Sequence, residues 1–252
     1  MNSILNIGLS GLQTFLNKIR NTAHNVANVN TPAYKSTRID TQASPSQSVI
    51  PGKPEIQQGS GVQSAASSRL VTQGGLIQTS NSLDLAIQGD GFFQFQQPDG
   101  TISYSRNGSL QKSANGQLVN ADGLVLNPSI SIPPEATAVT ITADGIVKIE
   151  NPQQQQPQTI GQISLTQFPN PGGLKAIGGN QYAETGASGN PIQGNPGQGG
   201  FGQILQGYLE TSNVDLVDTQ VNLIMDLHAF KSNAKSIQTG DETLGTIIDL
   251  KK

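Results

Sequence analysis

Near the N-terminus the apolar residues Leu5, Leu9, Leu12, Leu16, Ile19, Ala23 and Val26 are spaced alternately by four and three. That spacing places them on one stripe of a helix, as a heptad seam. Gly8 and Gly11 weaken the early turns, so the helix is expected to depend on a partner for its order. Proline restricts the residue before it to extended conformations, so Thr31-Pro32 stops the helix, with an end expected near Val29. The C-terminal part repeats the pattern. Leu216, Leu223, Leu227, Phe230, Ala234, Ile237, Leu244 and Ile248 follow a seven-residue repeat interrupted by Gln220 and Asp241, and Val217, Val221 and Ile224 add a second stripe. Ser212 or Asn213 suits the N-cap, and Asp215 and Asp218 suit the positive end of the helix dipole. At a rise of 1.5 Å per residue the two helices would be about 35–40 Å and about 50 Å long, and neither can bury its stripe alone.

Between these ends the period drops to two. Strand-like runs cover Leu83–Ile87, Phe92–Gln96, Thr101–Ser105, Gln117–Val119, Leu124–Leu126, Val139–Thr142, Ile146–Ile149 and Gln162–Gln167. Turn dipeptides punctuate them at Asp90-Gly91, Asp99-Gly100, Asn107-Gly108, Asn115-Gly116, Asp122-Gly123 and Asp144-Gly145. The middle is therefore expected to be a meandering antiparallel β domain. Ser36–Ser68, Asn151–Thr159 with its run Gln153–Gln156, and Ala187–Gly202 are rich in Ser, Gln, Asn, Pro and Gly and predict irregular chain. The expected fold is α+β, with long N- and C-terminal helices forming a coiled-coil-like core layer and a central antiparallel β-rich domain. Its parts are an N-terminal core helix (1–35), an extended connector (36–68), a β domain with Gly-, Gln- and Pro-rich loops (69–206) and a C-terminal core helix (207–252).

Composition narrows the function. Of 252 residues only 12% are charged and 4% aromatic, and the net charge is -3, so no field is present to hold a nucleic-acid backbone or an anionic membrane. No apolar run approaches the roughly 18 residues that cross a bilayer, and Met1–Arg20 lacks the features of a secretory signal. The absence of Cys removes disulfides, thiolate nucleophiles and Cys-ligated zinc, and two His leave little for a metal site, so no cofactor and no metal are expected. The 29 Gly suit turn-rich β structure or a repetitive assembly better than a compact α/β enzyme.

Candidate chemistry is correspondingly thin. Gly89-Asp90-Gly91 follows a strand and leads into Phe92-Phe93 instead of a helix N-terminus, which makes it a turn and not a phosphate loop. His24 and His228 lie on the terminal helices with no second ligand at metal spacing. The acidic pairs Asp84/Asp90 and Asp241/Glu242 suit turns and solvated faces, and no nucleophile elbow is present, so no catalytic residue is assigned. What stands out is the pair of apolar stripes. Two stripes of this length flanking a β insert cannot be covered by one mutual contact, so the helices are expected to pack against neighbouring chains as well. A β-rich binding module that uses its helices only to oligomerise is the alternative of a different class.

The segment Asn21–Arg38, NTAHNVANVNTPAYKSTR, resembles the signature of the bacterial flagellar basal-body rod and hook family, which typically reads Asn-Asn-Leu-Ala-Asn-x-x-Thr-x-Gly-Phe-Lys. The matching residues are Asn25, Ala27, Asn28, Thr31 and Lys35. Gly207–Ile224 and Ala229–Leu244 are similar to the family's C-terminal block, with Ser212, Asn213 and Val214 in its motif, and Asp84–Phe95, Tyr104–Leu126 and Gly161–Thr185 are similar to its β domain. The sequence departs from the pattern where His24 replaces an Asn, Val26 a Leu, Pro32-Ala33-Tyr34 a polar residue with Gly-Phe, and His228-Ala229-Phe230-Lys231 Arg-Ala-Tyr-Glu. Without the glycine, the turn after the first helix is expected to differ in shape.

The resemblance implies a structural subunit of the rod, in its distal part or else its proximal part, with no enzymatic activity. It implies homo-oligomerisation into a helical rod through the terminal helices. Other implied partners are further rod subunits, the hook protein, the basal-body rings around the rod and the flagellar export apparatus, with no nucleic acid and no membrane insertion. The implied location is the rod spanning the periplasm after export.

Overall fold

The computed structural model describes residues 2–45, 47–50, 53–151 and 156–250 and has an α+β fold. Its contacts group the chain into a helical unit, Met1–Val29, Ser36–Leu70 and Val214–Lys252, and a β unit, Asn30–Lys35 and Val71–Asn213.

The helical unit contains α1 (Asn2–Ala27), β1 (Thr37–Ala43), β2 (Gln47–Ile50), β3 (Lys53–Gln58), β4 (Val62–Arg69) and α2 (Leu216–Asp249). β1 pairs antiparallel with β4 and β2 with β3, so the stretch expected as an irregular connector forms two hairpin pairings, one nested inside the other. The reason is that ladder bonds are made by the backbone and need no apolar pattern. Side chains of α1 add to them: Ser10 Oγ accepts the Val62 N–H at 3.2 Å and itself donates to the Ile7 carbonyl. The N-cap of α2 is Asp215, whose carboxylate accepts the N–H groups of Val217 (2.8 Å) and Asp218 (3.1 Å), in place of the expected Ser212 or Asn213.

In the β unit each expected strand run contains or overlaps an observed strand. A seven-stranded antiparallel sheet is centred on Phe93–Gln96 and Ile102–Ser105, and a three-stranded sheet joins Ala138–Ile141, Ile146–Glu150 and Gln158–Gln162. Another joins Gln203–Gln206, Asp84–Gln88 and Gly108–Ser109. Successive residues of a strand point to opposite faces. Accordingly Phe93 and Phe95 enter a core with Leu85, Ile87, Leu118, Leu126, Ile149 and Ile163, while Phe92 joins Tyr104, Phe168, Leu174 and Tyr182. The ring centroids of Tyr104 and Phe168 lie 4.8 Å apart in an edge-to-face contact.

Asn107-Gly108 is not a turn: Gly108 pairs with Leu85, and a Cβ there would overlap the Leu85 carbonyl and stand 2.9 Å from the Phe93 ring. Of the loops expected as irregular, Ala187–Gly202 contains a strand, Ile192–Gly194, paired with Leu165–Gln167. The run Gln153–Gln156 lies outside the described residues except for Gln156.

Candidate functional site

α1 and α2 pack antiparallel, and the face that α1 turns inward is not the apolar stripe. Gly8, Gly11, Thr14, Thr22 and Asn25 are its buried positions. A Cβ at Gly8 would lie 2.6 Å from Ile237 Cγ1, and one at Gly11 would lie 2.5 Å from Asn233 Oδ1. The two glycines therefore serve close approach between helices, at the cost in helix propensity expected from the sequence.

On α2 the half-buried positions are Thr219, Leu223, Asp226, Ala229, Phe230, Asn233, Ala234, Ile237, Gly240 and Leu244. Apolar and small polar residues thus alternate along the facing strip. Farther along the pair, a polar cleft of about 220 Å³ is lined by Lys18, Asn21, Thr22, Asn25, Thr219, Asn222, Asp226 and the start of β1. Burial raises the Asp226 carboxyl above its usual range, and the Lys18 ammonium opposes that shift.

The seam positions are distributed around this contact. Leu5, Leu12, Ile19 and Val26 are half-buried at its border, and Leu9, Leu16 and Ala23 are exposed. On α2, Leu223, Phe230, Ala234, Ile237 and Leu244 are half-buried, whereas Leu216, Leu227 and Ile248 are exposed. The second stripe is open as well, with Val217 at 70%, Val221 at 50% and Ile224 at 55% exposure, joined by Met225 at 55%.

The motif residues hold the chain on either side of the helices. Asn25 binds both backbone groups of Thr37, and Asn21, one turn earlier, binds the Thr37 carbonyl and hydroxyl. Asn28 donates to the His24 carbonyl at 2.9 Å near the end of α1, and Ala27 is exposed. The Thr31 carbonyl accepts the Tyr34 N–H, and the Asn213 N–H donates to the Tyr34 carbonyl at 3.3 Å. Ser212 is buried and Val214 half-buried. Ala33, at the family's glycine position, has φ 57°, so the left-handed turn persists although the side chain disfavours it.

Lys35 is fully buried against Glu210, which also accepts Arg106 Nε at 2.7 Å and the Gly74 N–H at 2.9 Å. Lys35 donates besides to the Thr72 carbonyl at 2.7 Å, and Arg106 to the carbonyls of Gly91 (3.0 Å), Gly89 (2.9 Å) and Ile87 (3.2 Å). Burial lowers the Lys35 pKa, the Glu210 carboxylate opposes the shift and the Arg106 charge adds to it. Sequence reasoning missed Arg106 and Glu210. The available signal was a charged residue in each of two β-rich stretches of a chain poor in charge.

Residues 86–149 match the family described as the flagellar hook protein FlgE/F/G D1 domain, and residues 205–250 match the flagellar basal body rod FlgEFG protein C-terminal family. The flagellar basal-body rod protein FlgG of Buchnera aphidicola subsp. Schizaphis graminum is 42% identical, over 96% of each chain. The chain belongs to the flagellar basal-body rod protein FlgG family. FlgG of Caulobacter vibrioides is 39% identical over 88% of this chain and 89% of its own, and FlgG of Bacillus subtilis is 37% identical over 97% of each. The flagellar hook protein FlgE of Salmonella typhimurium is 36% identical over 60% of this chain and 36% of its own length.

As a FlgG family member, the chain is a structural subunit of the distal rod in the flagellar basal body and serves flagellum-dependent motility. Among the described residues no helix is long and apolar enough to cross a membrane. Gly89-Asp90-Gly91 aims two carbonyls at Arg106, whereas an anion site would present N–H groups. Asp84 is buried and accepts from Asn81 at 2.9 Å, while His24, His228, Asp241 and Glu242 are exposed on the helices.

Proposed function

We propose that this subunit builds the rod through the outward stripes of α1 and α2, with no enzymatic role. The observation that carries this reading is the exposure of Leu9, Leu16, Val217, Val221, Ile224, Met225 and Leu227 on helices whose mutual contact is made largely by glycines, small polar residues and one apolar line of α2. Apolar surface left on both helices of a rod-forming family is removed from water when copies pack together. Contacts between unlike patches of successive copies extend as a helical filament instead of closing into a ring. In this reading the helical unit forms a coiled-coil-like inner layer and the β unit the outer one. The subunit passes through the flagellar export apparatus to the periplasm, and it meets other rod subunits, the hook and the basal-body rings there.

The test is a polar substitution on each stripe, Leu16→Asp and Leu227→Asp. Each is expected to stop rod growth, seen by electron microscopy of basal bodies, while the purified variant keeps the protease resistance of its β unit. Normal rods from both variants would overturn the assignment.

A further inference from the structure

The chain passes between its two units at four points, after Val29, Lys35, Leu70 and Asn213. The stretches of the β unit that reach these points are 30–35, 71–75 and 207–213, and all three meet at Glu210. The first is held by the Ala33 N–H on the Glu210 main-chain carbonyl at 2.8 Å and by the Lys35 ammonium on its carboxylate. The second is held by the Gly74 N–H on Glu210 Oε1 and by the Thr72 carbonyl, which accepts from Lys35 and from the Asn213 side chain at 3.1 Å. The third contains Glu210 itself, and its Thr211 N–H reaches the Gly75 carbonyl at 2.7 Å. Arg106 ties the same carboxylate to the 87–91 loop through three carbonyls.

One carboxylate thus compensates two buried cations. Removing a partner from a buried ion pair is costly because the charge left behind has lost its water and gained nothing. Here the loss of a single group strands two charges from distant parts of the sequence. The remaining support between 71–78 and 207–213 includes a ladder of only three residue pairs, Tyr208–Glu210 with Leu76–Gln78. We infer that Glu210 is the common anchor of the β unit's connecting segments: losing its carboxylate releases 30–35, 71–75 and 207–213 together, whereas losing one of its cations frees only the segment that carries it. This is a property of the single chain and does not depend on how copies assemble.

Native-state hydrogen exchange on the full chain tests it. In Glu210→Gln, protection of the amides of Ala33, Gly74, Thr211 and Asn213 should fall together by at least about 100-fold, as expected for stranding buried charge. The strands Phe93–Gln96 and Ile102–Ser105 should keep their protection. Loosening confined to 207–213 would overturn the inference. If Glu210→Gln unfolds the whole β unit, Lys35→Met decides, because it leaves one cation on the carboxylate. That variant should lose protection at Ala33 by about 10-fold, the loss of one charge-assisted bond, while Gly74 and Thr211 stay protected. Release of all three segments, or of none, in Lys35→Met would overturn it.

Discussion

Asn25 pairs with Thr37 much as a neighbouring β-strand would: its side-chain nitrogen donates to the Thr37 carbonyl at 2.7 Å and its oxygen accepts the Thr37 N–H at 3.1 Å. With Asn21 bound to the same carbonyl and to the Thr37 hydroxyl, both at 2.6 Å, two turns of α1 hold the first residue of β1. A motif that reads as polar punctuation is thereby the joint between a helix and a ribbon.

Replacing Asn25 by Leu would leave the Thr37 N–H without this partner, at a cost of roughly 1–3 kcal/mol. Urea unfolding followed by far-UV circular dichroism is expected to show that loss. Asn21→Ala should cost less, because the carbonyl keeps the Asn25 bond.

Ala33 adopts a left-handed backbone at φ 57° with only 1% of its surface exposed. Glycine would relieve about 1–2 kcal/mol of backbone strain. It would also forgo about 0.8 kcal/mol of methyl burial and about 0.4–1 kcal/mol of unfolded-state restriction. Ala33→Gly should therefore change stability by less than about 1 kcal/mol, the opposing effects being of similar size. Ala33→Val, branched at a position of positive φ and packed in the interior, should destabilise by more than about 2 kcal/mol. Thermal melts of the pair separate strain from burial.

Asp226 carries a carboxyl whose folded pKa is raised above its usual 3.8, chiefly by burial. Its contribution to stability is fully present below the unfolded value and is lost as pH rises through the folded one, because the folded chain binds the proton more tightly. The difference in melting temperature between Asp226→Asn and the natural chain should therefore grow in favour of the variant from pH 3 to pH 7. A difference that shrinks over this range would contradict the assignment.

Gly8 faces Ile237 across a gap that a Cβ would close to 2.6 Å. An exposed helix glycine normally gains about 0.8–1 kcal/mol on conversion to alanine. Here Gly8→Ala should gain less than that, and Gly8→Leu should part the helices. Because the chain has no cysteine, Gly11→Cys/Asn233→Cys reports the separation directly. Its disulfide should form readily on a natural Gly8 background and poorly beside Gly8→Leu.

The β unit was legible because its signals are local. Period-two runs between Asp-Gly turns place a strand wherever they occur, and Phe92 and Phe93 enter different cores for the same reason. Gln94 escaped that reading. It is fully buried on the Phe92 face, where its side chain bonds Thr166, Asn127 and Gln193, and partners 33 to 99 residues away leave no local mark. The 36–68 stretch escaped it too, since a ladder of backbone bonds between small polar residues has no apolar period to detect.

The sequence by itself determined the two terminal helices, eight strand runs of the β unit, the family motif and the existence of two apolar stripes, because helix and strand periods are written in neighbouring residues. Which faces meet was decided only by the tertiary structure. Gly8 and Gly11 read as weaknesses of a helix until Ile237 and Asn233 lie against them. Lys35 reads as a motif residue, and Arg106 and Glu210 go unmarked, until three distant segments bury them together. The physical reason is common to both: close approach and charge compensation depend on the partner's position in space, which sequence spacing does not contain.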